Sequence, residues 1–308
     1  MHDHNSKIDG GCPQGRLSKG SGRESAGVWR YGELLAGGVS RAAVRHQVEA
    51  GRLVRLSRGV YGYADDETNR LRALFRRLPP GTVAGFHTGA RLHRFGAVTD
   101  DRVHVIVPPG VSARRIRGVA THQTVLPVPD AVEIAGIPCA PAARCAVDLA
   151  RVIRRADALP VLDLCLRAGA CRREDLLTEV AWHAGLRGVR QAGQLVALAD
   201  PRPECRQESQ LRLLLIDGGL PPPEPQLWVP DEDGNLIYRL DLGYRDRRIG
   251  LEYDGRSHLD PGRLHHDRSR LNWLAEHGWR MRVYTATDLY RRPRHIVASV
   301  RSMLTAPA

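Results

Sequence analysis

The sequence contains no apolar run approaching the roughly 18 residues that a membrane-spanning helix requires, and its first residues lack the apolar core of a signal peptide. Both absences point to a cytoplasmic chain with no membrane partner. No Cys-x-x-Cys pair occurs, and Cys12, Cys139, Cys145, Cys165, Cys171 and Cys205 do not follow the usual zinc spacings. They read as reduced, partly buried small residues with no assigned function. Lysine is confined to Lys7 and Lys19, so the formal net charge of +12 is an arginine charge. Such a field attracts a polyanion, and with no membrane signal the expected one is nucleic acid. What remains is ordinary for globular protein: 308 residues, 42% hydrophobic and 26% charged, enough for more than one domain with a core of its own.

Residues 1–27 are rich in Gly, Ser and charge and read as a disordered tail, in which His2 and His4 carry no assigned metal site. Residues 28–64 form the first unit. Tyr31 to Ala36 reads as a short helix, Gly37-Gly38 as a turn, and Ser40 as the N-cap of a helix from Arg41 to Ala50. Ala42, Ala43, Val44 and Val48 give that helix a small apolar face, leaving Arg41, Arg45, His46 and Gln47 outward. This is the pattern of a helix-turn-helix whose second helix enters the major groove. Leu53 to Tyr63 then alternates about Arg58-Gly59 as a β-wing, with Arg52, Arg55 and Arg58 facing phosphate. The other reading is a helix pair and hairpin used for packing or protein contact. Val39 to Tyr63 resembles the winged-helix N-terminal domain of AbiEi-type antitoxins, transcriptional repressors of type IV toxin–antitoxin operons. That resemblance implies double-stranded DNA as partner and allows for a cognate toxin.

Residues 65–203 read as a mixed α/β and helical spacer. Helices are expected at Thr68 to Leu78, Gly89 to Phe95, Pro141 to Arg154, Ala156 to Ala168, Arg173 to His183 and Val189 to Leu198. Strands are expected at Thr82 to Phe86, Arg102 to Val107, Ala120 to Leu126 and Ala131 to Ile134. Asp148 and Arg151 read as a surface pair, and His87, His93 and His183 form no triad or metal spacing. The α/β part also resembles the middle region of the antitoxin-like proteins.

Residues 204–308 carry the acidic pattern. A helix from Glu204 to Ile216 turns Leu211, Leu214 and Leu215 inward, with Glu208 and Arg212 an i, i+4 pair. Strands at Gln226 to Val229 and Leu236 to Leu242 flank the turn Asp233-Gly234. Period two sets Leu236, Tyr238, Leu240 and Leu242 on one face and Asp241 on the other. After a short polar turn, Ile249, Leu251 and Tyr253 oppose Gly250, Glu252 and Asp254. Pairing of these strands brings Asp241 toward Glu252. Opposed carboxylates destabilise a ladder, so the expected cofactor is Mg²⁺ or Mn²⁺, taken by oxygen ligands. The alternative is solvated carboxylates on an outer face. A helix from Arg263 to His277, with His265 and His266 DNA-facing or solvated, precedes a strand from Trp279 to Tyr284 expected near the sheet centre. Its Arg282 is expected to reach a scissile phosphate or to neutralise Asp241 and Glu252.

Asp241 followed by Glu252-Tyr253-Asp254-Gly255 and His258 resembles the PD-(D/E)xK nucleases, and more closely their branch related to very-short-patch-repair endonucleases. The resemblance covers about Glu204 to Pro293. It implies a restriction-endonuclease-like αβββαβ domain, Asp241 and Glu252 as metal ligands, Glu208 as the third acidic residue and His258 as general base. Asp254 stands where the superfamily has lysine. The fold class is therefore α/β (α+β) multidomain. Two functions stand: a Mg²⁺-dependent endonuclease targeted by a winged helix, or a non-catalytic repressor or antitoxin with a degenerate nuclease fold.

Overall fold

The computed structural model describes residues 27–96, 100–112, 114–255 and 261–306, of which residues 261–268 are described by backbone alone. His2, His4, Cys12, His258 and, but for Gly27, the expected tail lie outside the described residues, as do the side chains of His265 and His266. Two compact units follow the chain: one up to Leu78 with Ala135–Ile137, the other Pro79–Ile134 with Pro138–Ala308.

The first unit runs β1 (Val28–Arg30), α1 (Tyr31–Ala36), α2 (Arg41–Glu49), β2 (Val54–Ser57), β3 (Val60–Gly62) and α3 (Glu67–Phe75). Gly38, at φ 86°, makes the left-handed turn that ends α1. The Ser40 side chain then accepts from the Ala43 N–H at 3.1 Å and starts α2. Leu34, Val44 and Leu53 close the core between the two helices, with Trp29, Tyr31, Val39, Val48 and Tyr61 packed on it. Ala42, expected on the apolar face of α2, is exposed instead, because Val44 and Val48 suffice to cover so short a seam. The three strands lie in the order β1-β3-β2, with Arg55 opposite Tyr61 and Gly59 at φ 73° in the tight turn.

The second unit begins with β4 (Val83–Ala84), α4 (Phe86–Leu92), β5 (Val103–Val107), β6 (Val119–Gln123), β7 (Val132–Ile134) and β8 (Ile137–Cys139). These strands form a mixed sheet in the order β6-β5-β4-β8-β7. Four helices follow: α5 (Ala142–Val152), α6 (Arg155–Arg167), α7 (Arg173–Trp182) and α8 (Val189–Leu198). From Ala142 to Ala150 every residue of α5 is buried, polar ones included, so it is a central helix rather than a one-sided one. The pair expected at the surface, Asp148 with Arg151, is correspondingly inside. Asp148 accepts from Arg151 at 2.8 Å, from Arg144 at 2.6 Å and from His183 at 3.1 Å.

The chain closes with α9 (Arg206–Asp217), β9 (Glu224–Pro230), β10 (Leu236–Tyr244), β11 (Ile249–Asp254), α10 (Pro261–Glu276), β12 (Arg280–Thr285), α11 (Ala286–Arg291) and α12 (Pro293–Thr305). The sheet order is β12-β11-β10-β9, antiparallel except for β11 with β12. This is the helix, three antiparallel strands, helix, strand order read from the sequence, extended by two helices. β12 is an edge strand, not a central one: among the described residues no strand pairs with its second flank, and its Arg282 and Val283 are exposed. One core joins Leu211 and Leu215 of α9 to Leu242, Ile249, Leu251 and, from α12, Ile296 and Val300. Another joins Leu227, Val229 and Leu240 to Leu274 of α10 and Trp279.

Candidate nucleic-acid interface and acidic centre

Arg41, Arg45 and His46 of α2 are exposed, Gln47 is half-buried, and Arg52, Arg55 and Arg58 are exposed along the wing. Among the described residues, Arg41, Arg45, Arg52, Arg55 and Arg58 have no ion-pair partner. Five cations on one short segment repel one another and are left to water, an arrangement suited to backbone phosphate.

The acidic centre is built where β10 stops alternating. Leu240 packs with Leu227, Val229 and Leu274, whereas Leu242 packs with Leu211 and Leu251, so the single leucine face expected along this strand does not hold. Opposite the break lies Gln226, at φ 53° a side-chain-bearing residue in the left-handed region. β10 and β11 pair from Tyr244 with Ile249 to Leu242 with Leu251. At the next step Asp241 Oδ2 accepts from the Tyr253 N–H at 2.8 Å. Burial, aided by the charges of Glu208 and Glu252, raises the Asp241 carboxyl to about 6 against the hydrogen bond from Tyr253.

Glu208, on α9, is buried. Its Oε2 accepts from the Glu204 N–H at 2.8 Å and from Gln226 Nε2 at 2.7 Å. The expected Glu208–Arg212 pair is absent, because Arg212 turns to the fully buried Asp163, 2.9 Å away. Glu252 is held by the Arg270 guanidinium, which also donates to the Arg239 carbonyl at 3.0 Å. Asp254 ends β11, half-buried, in register with Thr285. Arg282 is in register with Leu251 and one step away from Glu252, whose partner is Val283. Successive residues point to opposite faces, so Arg282 stands across the sheet from Glu252 and donates to the Met281 carbonyl at 2.9 Å. Among the described residues Arg270 is the cation that meets Glu252, and Arg282 is not.

Two further groups escape a reading by spacing. His93, Cys139 and Cys145 bring their ligand atoms within 4.8 Å of one another, and so do His87, Asp100 and His104. Sheet pairing and the approach of α4 to α5 assemble them; a Cβ at Gly89 would collide with Cys145 Sγ. The hydrogen bond with Cys145 lowers the Cys139 thiol to about 6, with His93 adding to it. The described cysteines are therefore buried or partly buried, as expected, but not all electrostatically idle.

Residues 59–198 match the family model of the AbiEi antitoxin C-terminal domain. The chain is also 33% identical over 264 residues to the uncharacterized protein Rv2248 of Mycobacterium tuberculosis strain H37Rv, covering 85% of this chain and 96% of that protein. The uncharacterized protein MT2308 of the CDC 1551 / Oshkosh strain aligns with the same figures. The chain belongs to their family. Within it, the antitoxin-like character rests on the middle region, which holds β4 to α8, more than on the Val39 to Tyr63 stretch, where the match takes in only the end of the wing. The region read as a spacer is thus the part with a family likeness of its own. Among the described residues no helix is long and apolar enough to cross a membrane.

Proposed function

We propose that this protein is a DNA-binding regulator of the antitoxin type, with α2 in the major groove of a duplex, the wing on adjacent phosphates and a toxin as protein partner. The observation that carries the reading is the set of exposed, unpartnered arginines from Arg41 to Arg58. The net charge of +12 supports a polyanion, and the match to the antitoxin domain supports the class. In the full chain, Arg55→Ala with Arg58→Ala should weaken binding to duplexes of any sequence. The slope of log affinity against log salt should fall by about two. A slope unchanged by the pair would remove the wing from the interface.

A second reading is favoured by Asp241, a carboxyl raised to about 6 in the field of Glu208 and Glu252, although these three do not converge within 4.8 Å as the two histidine groups do among the described residues. Here the C-terminal domain hydrolyses phosphodiesters. Glu208, Asp241 and Glu252 are hard oxygen donors that suit Mg²⁺ or Mn²⁺, and Glu252 would exchange Arg270 for the ion. A bound ion there supplies phosphoryl polarisation and an activated water. Asp254 and His258 are the further residues proposed for the site, His258 as the proton acceptor. Supercoiled plasmid should be nicked with Mg²⁺ and not with EDTA, and Asp241→Ala with Glu252→Ala should abolish nicking while duplex binding persists. No nicking by the wild type with either metal would leave the regulator reading alone.

A further inference from the structure

The histidines of the middle region form a constellation that neither DNA binding nor the acidic centre uses. His104 lies on β5, His87 on α4, His122 on β6, and Asp100 just before β5. His104 is 4% exposed, and its Nε2 is buried with no hydrogen-bond partner although Asp100 Oδ2 is only 3.2 Å away. A buried imidazole nitrogen held against a carboxylate without a hydrogen bond is costly unless something else meets it. The His87 ring lies edge-on to that of His104, with centroids 4.8 Å apart.

We propose that His87, Asp100 and His104 form a binding site for a divalent transition-metal ion of the zinc class. Two imidazoles and one carboxylate are a donor set such ions take, leaving a further position for water or a ligand. The surroundings match what a ligating histidine needs. His104 Nδ1 lies 2.9 Å from His122 Nε2. With the proton on Nδ1, His104 donates to His122 and turns its Nε2 lone pair to the site, as metal-bound histidines do through their second nitrogen. The His122 ring is fixed by stacking on Phe86 at 3.7 Å between centroids. Arg102 donates to both Asp100 oxygens, at 3.0 Å and 2.7 Å, and orients the carboxylate. Oδ1 also accepts the Arg102 backbone N–H at 2.9 Å and is filled, whereas Oδ2, the oxygen that faces His104, keeps a lone pair for an ion.

The site is testable with Co²⁺, whose spectrum separates nitrogen and oxygen ligands from thiolates. Untagged full-length protein, stripped with chelator, is titrated with Co²⁺ in excess Mg²⁺, which occupies hard-oxygen sites. The expected result is one Co²⁺ per chain with visible bands but no thiolate charge-transfer band. His87→Gln and Asp100→Asn, both at partly exposed positions, should each weaken binding at least ~10-fold. His122→Phe should weaken it by about 10- to 100-fold through loss of orientation. Cys139→Ser, which removes a member of the neighbouring thiol group, should leave it unchanged. The proposal is overturned if no Co²⁺ is taken up, if binding survives His87→Gln and Asp100→Asn in protein with native circular dichroism, or if it is lost in Cys139→Ser.

Discussion

The paired arginines of the helical region and those of α2 and the wing are the same residue used in opposite ways. Arg212 reaches Asp163, Arg144 and Arg151 reach Asp148, and Arg154 and Arg206 reach Asp157, each in a buried or partly buried pair. From Arg41 to Arg58 the arginines face solvent with no anion opposite among the described residues. Charge that is met inside the fold is structural; charge left unmet in a cluster costs self-repulsion and points to a partner. Carboxylates divide in the same way. Asp148 is raised by burial, but the bonds from His183 and Arg144 more than reverse this and leave it below its ordinary range. Asp241, half-buried with a backbone N–H and two like charges near it, stays raised.

The contrast is broken most severely by Arg212→Met. This leaves Asp163 buried without its cation and should cost about 3–5 kcal/mol in denaturant melts, as for other broken buried pairs. A loss below ~1 kcal/mol would mean that the pair is dispensable.

Asp241→Asn should do the opposite. In the folded chain the carboxyl is raised from an ordinary 3.8 to about 6, so between those values the folded state holds the proton and the unfolded state releases it. The native carboxylate therefore lowers stability as pH rises, fully so above pH ~6. The amide should stabilise metal-free protein by about 1–3 kcal/mol at pH 8 and by nothing below the ordinary value. Thermal melts at pH 8 and pH 3.5 check both arms, and a destabilised variant at pH 8 would make Asp241 a structural group.

Smallest is Arg282→Ala on the open edge, expected within about 0.5 kcal/mol of wild type. A larger loss would assign that side chain a partner.

Much of this organisation is legible from pattern. α8 has the bounds that its periodicity predicts, Ser40 caps α2 as its residue type and position imply, and the order of the last domain follows from alternation and turn residues. The gaps have physical causes. β8, three residues long, offers too little pattern to register, and α11 and α12 follow a strand with no break that composition marks. Alternation brings Asp241 toward Glu252 but gives no sign that β10 changes face there, since that depends on Gln226 in the neighbouring strand. Arg270 and Arg282 are alike in type and both near the centre in sequence; only the rotation of α10 and the register of β12 decide which one meets Glu252. The histidine and thiol groups join residues from separate elements, a relation that spacing does not encode.

The most direct test of the central claim separates the place of the arginines from their number. Duplex binding is followed by fluorescence anisotropy over a salt series for two variants of the full chain with equal loss of charge. One replaces Arg41, Arg45, Arg52, Arg55 and Arg58 by Ala; the other replaces the exposed Arg187, Arg190, Arg282, Arg291 and Arg294. The expected result is a slope shallower by about four to five units and affinity lost at physiological salt for the first variant, with the second close to wild type. Equal losses in both would make binding a matter of net charge and contradict an interface on α2 and the wing.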